Sequence, residues 1–139
     1  MLTNDQIDLI RGSAERMSEA SFAATNAFYS NLFKAAPGVR SLFPEDMFEQ
    51  NEKLWDSIVM VVRSADSFDH IIDALKALGG RHVAYGAQPE HYTLVAEVLV
   101  ETIATLMAQD WTPDHQSAWE AALNAVCQTM LEGAANVAK

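Results

Sequence analysis

The sequence predicts an all-α protein, and three observations support this fold class. Apolar residues recur at the three- and four-residue spacing of amphipathic helices through most of the 139 residues. Helix start signals, including prolines suited to a first turn, stand between these segments. Strand-type alternation of apolar and polar residues does not occur in a convincing run. We therefore expect several helices with short connections in one domain.

The first half of the chain is predicted to form three helices. Thr3-Asn4-Asp5-Gln6 has the capping-box pattern that opens a helix. A second helix is expected from about Ser18 to Ala35, where Pro37-Gly38 ends it. A turn through Leu42-Phe43-Pro44 then leads to a third helix from about Phe48 to Ser64. The inner faces of the second and third helices are predicted to carry Phe22, Tyr29 and Phe33, and Gln50, Leu54, Ile58 and Val61.

The second half is predicted to form three more helical segments. Asp66-Ser67 is expected to cap a segment that ends near Gly86. Pro89 and Thr112-Pro113 mark the starts of two further helices, because proline suits the first helical position. The apolar faces of these last two helices are predicted to comprise Tyr92, Val95, Ala96, Leu99, Ile103 and Leu106, and Trp119, Leu123, Val126, Met130 and Leu131.

Composition indicates a globular chain with one domain over residues 1–139, since half of the residues are hydrophobic and 20% are charged. The single cysteine, Cys127, excludes an internal disulfide, fits a cytoplasmic location and is expected to be a small core residue. The N-terminus shows no basic region followed by an apolar run, so we expect no signal peptide.

Nucleic acids and membranes are not expected partners. The net charge is −10, which repels phosphate-rich surfaces. The most apolar stretch, from Thr93 to Ala108, contains Glu97 and Glu101 and is therefore not expected to span a bilayer.

His82 is the candidate functional residue that stands out. It follows the helical spacing of Leu75 and Leu78, so it lies on an apolar face. Gly79-Gly80 precede it, and each weakens a helix by ~1 kcal/mol. A histidine on an apolar face, with helix stability given up beside it, suggests a flat apolar group that lies against that face. An imidazole presented to such a group suggests a haem ligand, and a satisfied core histidine is the alternative. The remaining histidines, near helix starts, are interpreted as solvated: His70, His91 and His115.

The motifs around this histidine resemble those of the single-domain globins of bacteria and the globin domain of flavohaemoglobins. They are Ala27-Phe28-Tyr29-Ser30-Asn31-Leu32-Phe33-Lys34, Pro37 through Leu42-Phe43, Gln50 to Leu54, Leu78-Gly79-Gly80-Arg81-His82 and Glu90-His91-Tyr92-Thr93-Leu94-Val95. The resemblance covers essentially the whole chain with matching spacing. It implies a globin fold, with three-over-three helical packing around a haem pocket.

The resemblance also implies roles for individual residues. His82 matches the iron ligand, and Tyr29 and Gln50 match the polar distal pair that holds a bound gas. Leu54 matches the apolar residue over the iron, and Phe43 matches the ring that wedges the haem. Four further candidates complete the haem-binding set: Arg81, Tyr92, Val95 and Leu99. The cofactor implied is haem b (iron protoporphyrin IX), held non-covalently because the chain lacks Cys-x-x-Cys-His.

Two of these residues have simpler interpretations. Tyr29 could be a core aromatic with its hydroxyl at a boundary, and glutamine is more often a surface residue. One position departs from the flavohaemoglobin pattern, because Ala134 stands where a glutamate pairs with the proximal histidine. The nearest acid, Glu132, is about 200° away around a helix. His82 is therefore expected to be a more neutral ligand, with weaker support for peroxidase-like chemistry.

Three functions remain open from the sequence. The first is reversible binding of O2, and of CO or NO, at a pentacoordinate iron for storage, delivery or sensing. The second is nitric oxide dioxygenase activity that relies on a separate reductase protein. The third is a haem-free helical interaction module.

Overall fold

The computed structural model describes residues 2–138, and this part of the chain contains helices and turns but no strand. The α-helices are α1 (Asn4–Ser18), α2 (Ser21–Ala35), α3 (Phe48–Arg63), α4 (Ile72–Ala84), α5 (Pro89–Met107) and α6 (Pro113–Ala138). Three short 3-10 turns lie at Pro37–Leu42, Phe68–Ile71 and Ala108–Asp110. The prediction of an all-α globin fold is confirmed.

Two kinds of side chain cap the helix starts. The capping box of α1 is confirmed, since Thr3 Oγ1 accepts from Gln6 N and Gln6 Oε1 accepts from Thr3 N. Two of the histidines that were interpreted as solvated also cap helices. His91 Nδ1 accepts the backbone N–H of Gln88 at 2.9 Å, and His115 Nδ1 accepts that of Thr112 at 3.2 Å. Each imidazole therefore stabilises the first turn of its helix.

Two predicted boundaries were wrong. The second helix begins at Ser21 instead of about Ser18, because α1 continues through Ser18 and the chain turns at Glu19 and Ala20. Ser67 does not cap α4 with its side chain. The 3-10 turn Phe68–Ile71 comes between them and leads directly into α4, so the start of α4 depends on packing rather than on a cap.

The buried apolar side chains form two clusters. The larger joins α1, α2, α3, α5 and α6 around the fully buried Ile10, Phe28, Ile103 and Trp119. The smaller joins α3, α4 and α6, and it comprises Val61, Ile71, Leu75, Val126 and Met130. Leu131, predicted to be buried with Met130, is only partly buried. The helix that carries His82 thus packs on the smaller cluster and not on the larger one.

Gly79 packs against α6, and this explains why α4 tolerates a glycine there. A Cβ at Gly79 would overlap the backbone of Met130 and would come within 2.7 Å of its Cα atom. At Gly80 a Cβ would meet the side chain of Val137 at 2.8 Å and would lie 3.8 Å from the Gly133 carbonyl oxygen, which is an ordinary contact distance. Packing against α6 thus accounts for the helix stability given up at Gly79, and the flat apolar group expected against the face of His82 stays a prediction. Gly79 makes room for another helix.

The helical segment Pro89–Asp110 is long and apolar enough to cross a membrane by length and composition alone, despite Glu97 and Glu101. The expectation that no stretch meets this criterion was wrong. The apolar character of α5 has a different explanation in the fold. Its inner side chains are 0–5% exposed and belong to the larger cluster: Val98, Leu99, Val100, Ile103 and Met107.

Candidate functional site

Tyr29 lies in the middle of an aromatic group on α2 and in the segment that connects α2 to α3. Its ring makes an edge contact with Phe43 at 5.5 Å between centroids and with Phe28 at 5.0 Å. It also stacks on Phe33 at 5.9 Å. The side chain is 5% exposed. Three neighbouring rings therefore hold the phenol in one orientation, so the position of its hydroxyl is fixed by packing.

The hydroxyl of Tyr29 is hydrogen-bonded to Gln50 of α3. Gln50 Nε2 donates to Tyr29 Oη at 3.1 Å. Because the oxygen accepts from Gln50, the phenolic hydrogen remains available for another acceptor. Burial raises the pKa of Tyr29 above 10.0, and the hydrogen bond from Gln50 opposes this only in part. Tyr29 is therefore a protonated donor at neutral pH.

Phe43 belongs to the same group and is held by the segment that connects α2 to α3. Arg40 donates to the carbonyl oxygens of Phe43, Pro44 and Glu45, at 3.3, 2.9 and 3.1 Å. Its guanidinium also lies 5.1 Å from the ring centroid of Phe33. One arginine thus ties this irregular segment to α2 and keeps the Phe43 ring, partly buried, against Tyr29 and Phe33.

His82 lies in the last turns of α4 and has one ring nitrogen engaged. Its Nδ1 lies 2.7 Å from the carbonyl oxygen of Leu78. A carbonyl can only accept, so Nδ1 carries the hydrogen and donates it. The neutral imidazole then has its free electron pair on Nε2, which is the atom that can bind a metal. His82 is partly buried, so the chemistry and position of its side chain suit an iron ligand.

Two tyrosine rings flank this imidazole. Tyr92 of α5 lies 6.2 Å from it between ring centroids, which places the expected residue behind the ligand beside it. Tyr85 makes an edge contact at 5.4 Å and was missed in the sequence. Its position three residues after His82 could have identified it, because residues three apart share a helix face. The two rings and the Leu78 carbonyl together restrict rotation of the imidazole.

The other residues predicted to contact the haem differ in how deeply they are buried. Leu54 and Val95 are partly buried and pack against the larger core cluster, and Leu99 is buried inside it. Arg81 is exposed, and one residue along α4 it points about 100° away from His82. Arg81 makes no hydrogen bond or ring contact with the residues around Tyr29 or His82 that are described above, and its haem contact stays a prediction.

The residues present are chemically suited to a haem. The donor set includes one neutral imidazole with a free Nε2, which is a proximal ligand for haem iron. The candidate wall residues Phe43, Leu54 and Val95 are apolar, yet they are only partly buried at the edge of the larger cluster. Leu78 and Tyr92 have the same position at the edge of the smaller one. If a flat apolar group lies between the two clusters, the apolar residues at their edges should be only partly buried by protein atoms, as these residues are.

In the part of the chain that the structure describes, no carboxylate of α6 is hydrogen-bonded to His82. Ala134 is partly buried at the position where the resemblance places a glutamate. Glu132 is exposed and its Oε2 lies 3.9 Å from Lys76 Nζ.

Cys127 contacts the backbone of Tyr92, with Sγ 3.7 Å from the Tyr92 carbonyl oxygen. Burial raises the pKa of this half-buried thiol, which makes it a poor nucleophile.

Comparisons with known proteins agree with this architecture. The family model described as Globin matches residues 26–130. A flavohemoprotein of Vibrio cholerae is 26% identical over 95% of this chain, which spans only 34% of that relative's length. An uncharacterized globin-like protein of Aquifex aeolicus is 27% identical, and the match covers 94% of this chain and 93% of the relative.

Two solved structures are similar over nearly their full length. An engineered carbene transferase, made from a nitric oxide dioxygenase candidate of Rhodothermus marinus, has a TM-score of 0.86 and 28% identity. The match covers 99% of this chain and 96% of that one. A bacterial globin from Campylobacter jejuni has a TM-score of 0.86 at 22% identity and supports the fold alone. With a family model that matches most of its length, this chain belongs to the globin family.

Proposed function

We propose that this globin binds O2 reversibly at a haem b whose iron is held by His82. The observation that carries the proposal is the donor arrangement at Tyr29. Its hydroxyl accepts from Gln50 and so presents its own hydrogen, while three rings fix its direction. A haem supplies an iron that binds diatomic gases, and the membership of this chain in the globin family supports such a cofactor.

The chain's own residues supply the selectivity. O2 gains partial negative charge when it binds, so a hydrogen bond from Tyr29 stabilises it more than the less polar CO. Such a bond contributes on the order of 1 kcal/mol, and more toward a charged acceptor. Gln50 holds the acceptor side of the phenol and keeps its hydrogen directed away from α3. Leu54 limits the access of water and protons to the gas, which favours reversible release.

The proximal residues are those of a carrier more than of a peroxidase. The partner of His82 Nδ1 is a neutral backbone carbonyl, and Ala134 supplies no carboxylate. A neutral acceptor leaves the imidazole less basic than a carboxylate would. We therefore propose storage, delivery or sensing of O2 in the cytoplasm ahead of an enzymatic function. The ligands would be O2, CO and NO.

Nitric oxide dioxygenase activity is the second candidate, and the Tyr29–Gln50 pair favours it. The same donor that retains O2 would keep it in place for reaction with NO. The relatives named above include flavohemoproteins and a structure derived from a dioxygenase candidate. The matched segment spans 34% of the flavohemoprotein reported above. In this alternative we propose that a reductase protein returns the iron to the ferrous state.

Two measurements distinguish these candidates. An absorption spectrum of purified protein tests haem binding, and a spectrum without a Soret band would favour the haem-free helical module. Rapid mixing of the oxygenated protein with NO then tests the chemistry. One stoichiometric oxidation to ferric protein and nitrate is expected of either candidate, so turnover is the distinguishing measurement. Sustained consumption of NO with an added flavin reductase supports the dioxygenase, and its absence supports a carrier.

A further inference from the structure

We propose that Gly79 and Gly133 are positioning residues for the proximal ligand, because their contact sets the place of His82 relative to α6. This proposal rests on the proposed role of His82 as the haem ligand. It concerns how the chain places that ligand when no carboxylate reaches it from α6.

The contact is reciprocal. A Cβ at Gly79 would come within 2.7 Å of Met130 Cα, and a Cβ at Gly133 would come within 2.6 Å of Lys76 Cα. In both cases the nearest atoms belong to backbone, which cannot swing aside as a side chain can. Met130 and Lys76 each stand three residues before the glycine of their own helix, so the two contacts are one turn apart along antiparallel helices. We call these four residues the glycine contact.

The glycine contact is covalently close to the hydrogen bond of His82. The carbonyl that accepts from His82 Nδ1 belongs to the peptide unit that joins Leu78 to Gly79. Because Gly79 lies against the backbone of Met130, α6 determines where this carbonyl stands. The imidazole follows one helical turn later, and the Leu78 carbonyl determines its rotation.

The surroundings of the glycine contact make it rigid. Leu75 is 1% exposed and Met130 is 8% exposed, and both belong to the smaller core cluster. Lys76 and Glu132 form a partly exposed ion pair at the other edge. A methyl group at either glycine therefore has no flexible neighbour to displace and must separate the helices, which moves His82 with α4.

The neighbouring glycine is a matched control. Gly80 lies on the same helix, and its Cβ would overlap only the exposed side chain of Val137, at 2.8 Å. The nearest backbone atom, the Gly133 carbonyl oxygen, would lie at an ordinary contact distance of 3.8 Å. Gly80→Ala therefore gains the same helix propensity as Gly79→Ala without a backbone overlap. Gly133→Ala tests the same contact from α6, 51 residues away from His82 along the chain.

The experiment is resonance Raman spectroscopy of the iron–histidine stretch in the ferrous, ligand-free holoprotein. Gly79→Ala and Gly133→Ala should both shift this band beyond the difference between wild type and Gly80→Ala. Both should also accelerate haem loss to an acceptor globin by about tenfold, which corresponds to about 1.4 kcal/mol. Unchanged bands in folded variants of both glycines would overturn the proposal.

A second measurement separates positioning from a general loss of structure. In a His82→Gly background, free imidazole can bind iron but is not attached to α4. Adding Gly133→Ala to this background should leave the iron–imidazole band unchanged, and an equal shift there would show that the contact acts on the pocket as a whole.

The same background keeps the proposal testable if both alanine variants fail to fold. Free imidazole in His82→Gly should then give a broader band at a different frequency from that of attached His82. A band of identical frequency and width would show that the contact does not constrain the ligand. Retention of haem by His82→Gly without imidazole is a different result, which would contradict the ligand role itself.

Discussion

His82 donates from Nδ1 to the carbonyl oxygen of Leu78, four residues earlier on the same helix, at 2.7 Å. The bond determines the tautomer of the imidazole and leaves Nε2 as the free ligand atom. At Ala134, where the resemblance to flavohaemoglobins places a glutamate, no carboxylate is present. The hydrogen-bond partner of the imidazole is thus local and neutral.

The first prediction concerns the basicity of His82. The iron–histidine stretch should have a lower frequency than in relatives that carry the glutamate, because a carbonyl polarises the imidazole less than a carboxylate. Ala134→Glu should raise this frequency and improve peroxidase turnover. Ala135→Glu, one exposed position along α6, is the control and should change neither. A high frequency in the unmodified protein would mean that another acceptor polarises His82.

Haem attachment itself gives the second prediction. His82→Gly should lose stable haem binding, because the chain then lacks its proposed iron ligand. Added imidazole should restore the Soret band. His70→Gly removes an exposed histidine and should bind haem as the wild type does. An unchanged Soret spectrum in His82→Gly without imidazole would show that the assignment is wrong.

The third prediction concerns the donor from α2. Tyr29→Phe should raise the dissociation rate of O2 by several-fold to about tenfold, because it removes a hydrogen bond of ~1 kcal/mol or more. The dissociation rate of CO should change much less. Tyr85→Phe removes a hydroxyl from an exposed tyrosine and serves as the control for flash photolysis and stopped-flow measurements. Equal effects of Tyr29→Phe on both gases would indicate a steric role.

Alkaline pH should destabilise the protein, which is the fourth prediction. Burial raises the pKa of Tyr29 and of Tyr92 above 10.0 and that of Cys127 above 9.0. The folded state then holds these protons more tightly than the unfolded state, so its stability falls as the pH rises above these unfolded values. The midpoint temperature of thermal unfolding, measured between pH 8 and pH 11, should decline from about pH 9.

Two variants identify the groups responsible. Cys127→Ala should remove the part of the decline that begins near pH 9, since the thiol has the lowest unfolded pKa of the three. Tyr29→Phe should remove part of the decline above pH 10. An identical pH dependence in wild type and both variants would assign the loss to other groups.

The last prediction concerns a glycine outside the glycine contact. A Cβ at Gly12 of α1 would meet no atom within 4 Å. Gly12→Ala should therefore stabilise the protein by roughly 0.5–1 kcal/mol, because alanine costs less conformational entropy in a helix. Urea unfolding measures this gain, and a loss of stability would show that α1 needs a glycine there for another reason.

The sequence by itself determined the all-α class, most helix positions and the candidates at the site. Helical spacing identifies the inner faces, because apolar side chains must be buried on one side of each helix. The register of Tyr29, Phe43, Gln50 and His82 points to the globin family without any knowledge of contacts. These properties are local or depend only on spacing, so they can be read along the chain.

The tertiary structure decided which residues from different helices contact one another. Gly79 and Gly80 are equivalent in sequence, yet only Gly79 touches the backbone of another helix. The Tyr29–Gln50 bond joins residues 21 apart, and the exposure of Arg81 beside the partly buried His82 depends on how α4 packs. Close approach of two backbones and the direction of a side chain result from how the helices pack together. Spacing within a single helix does not contain that information.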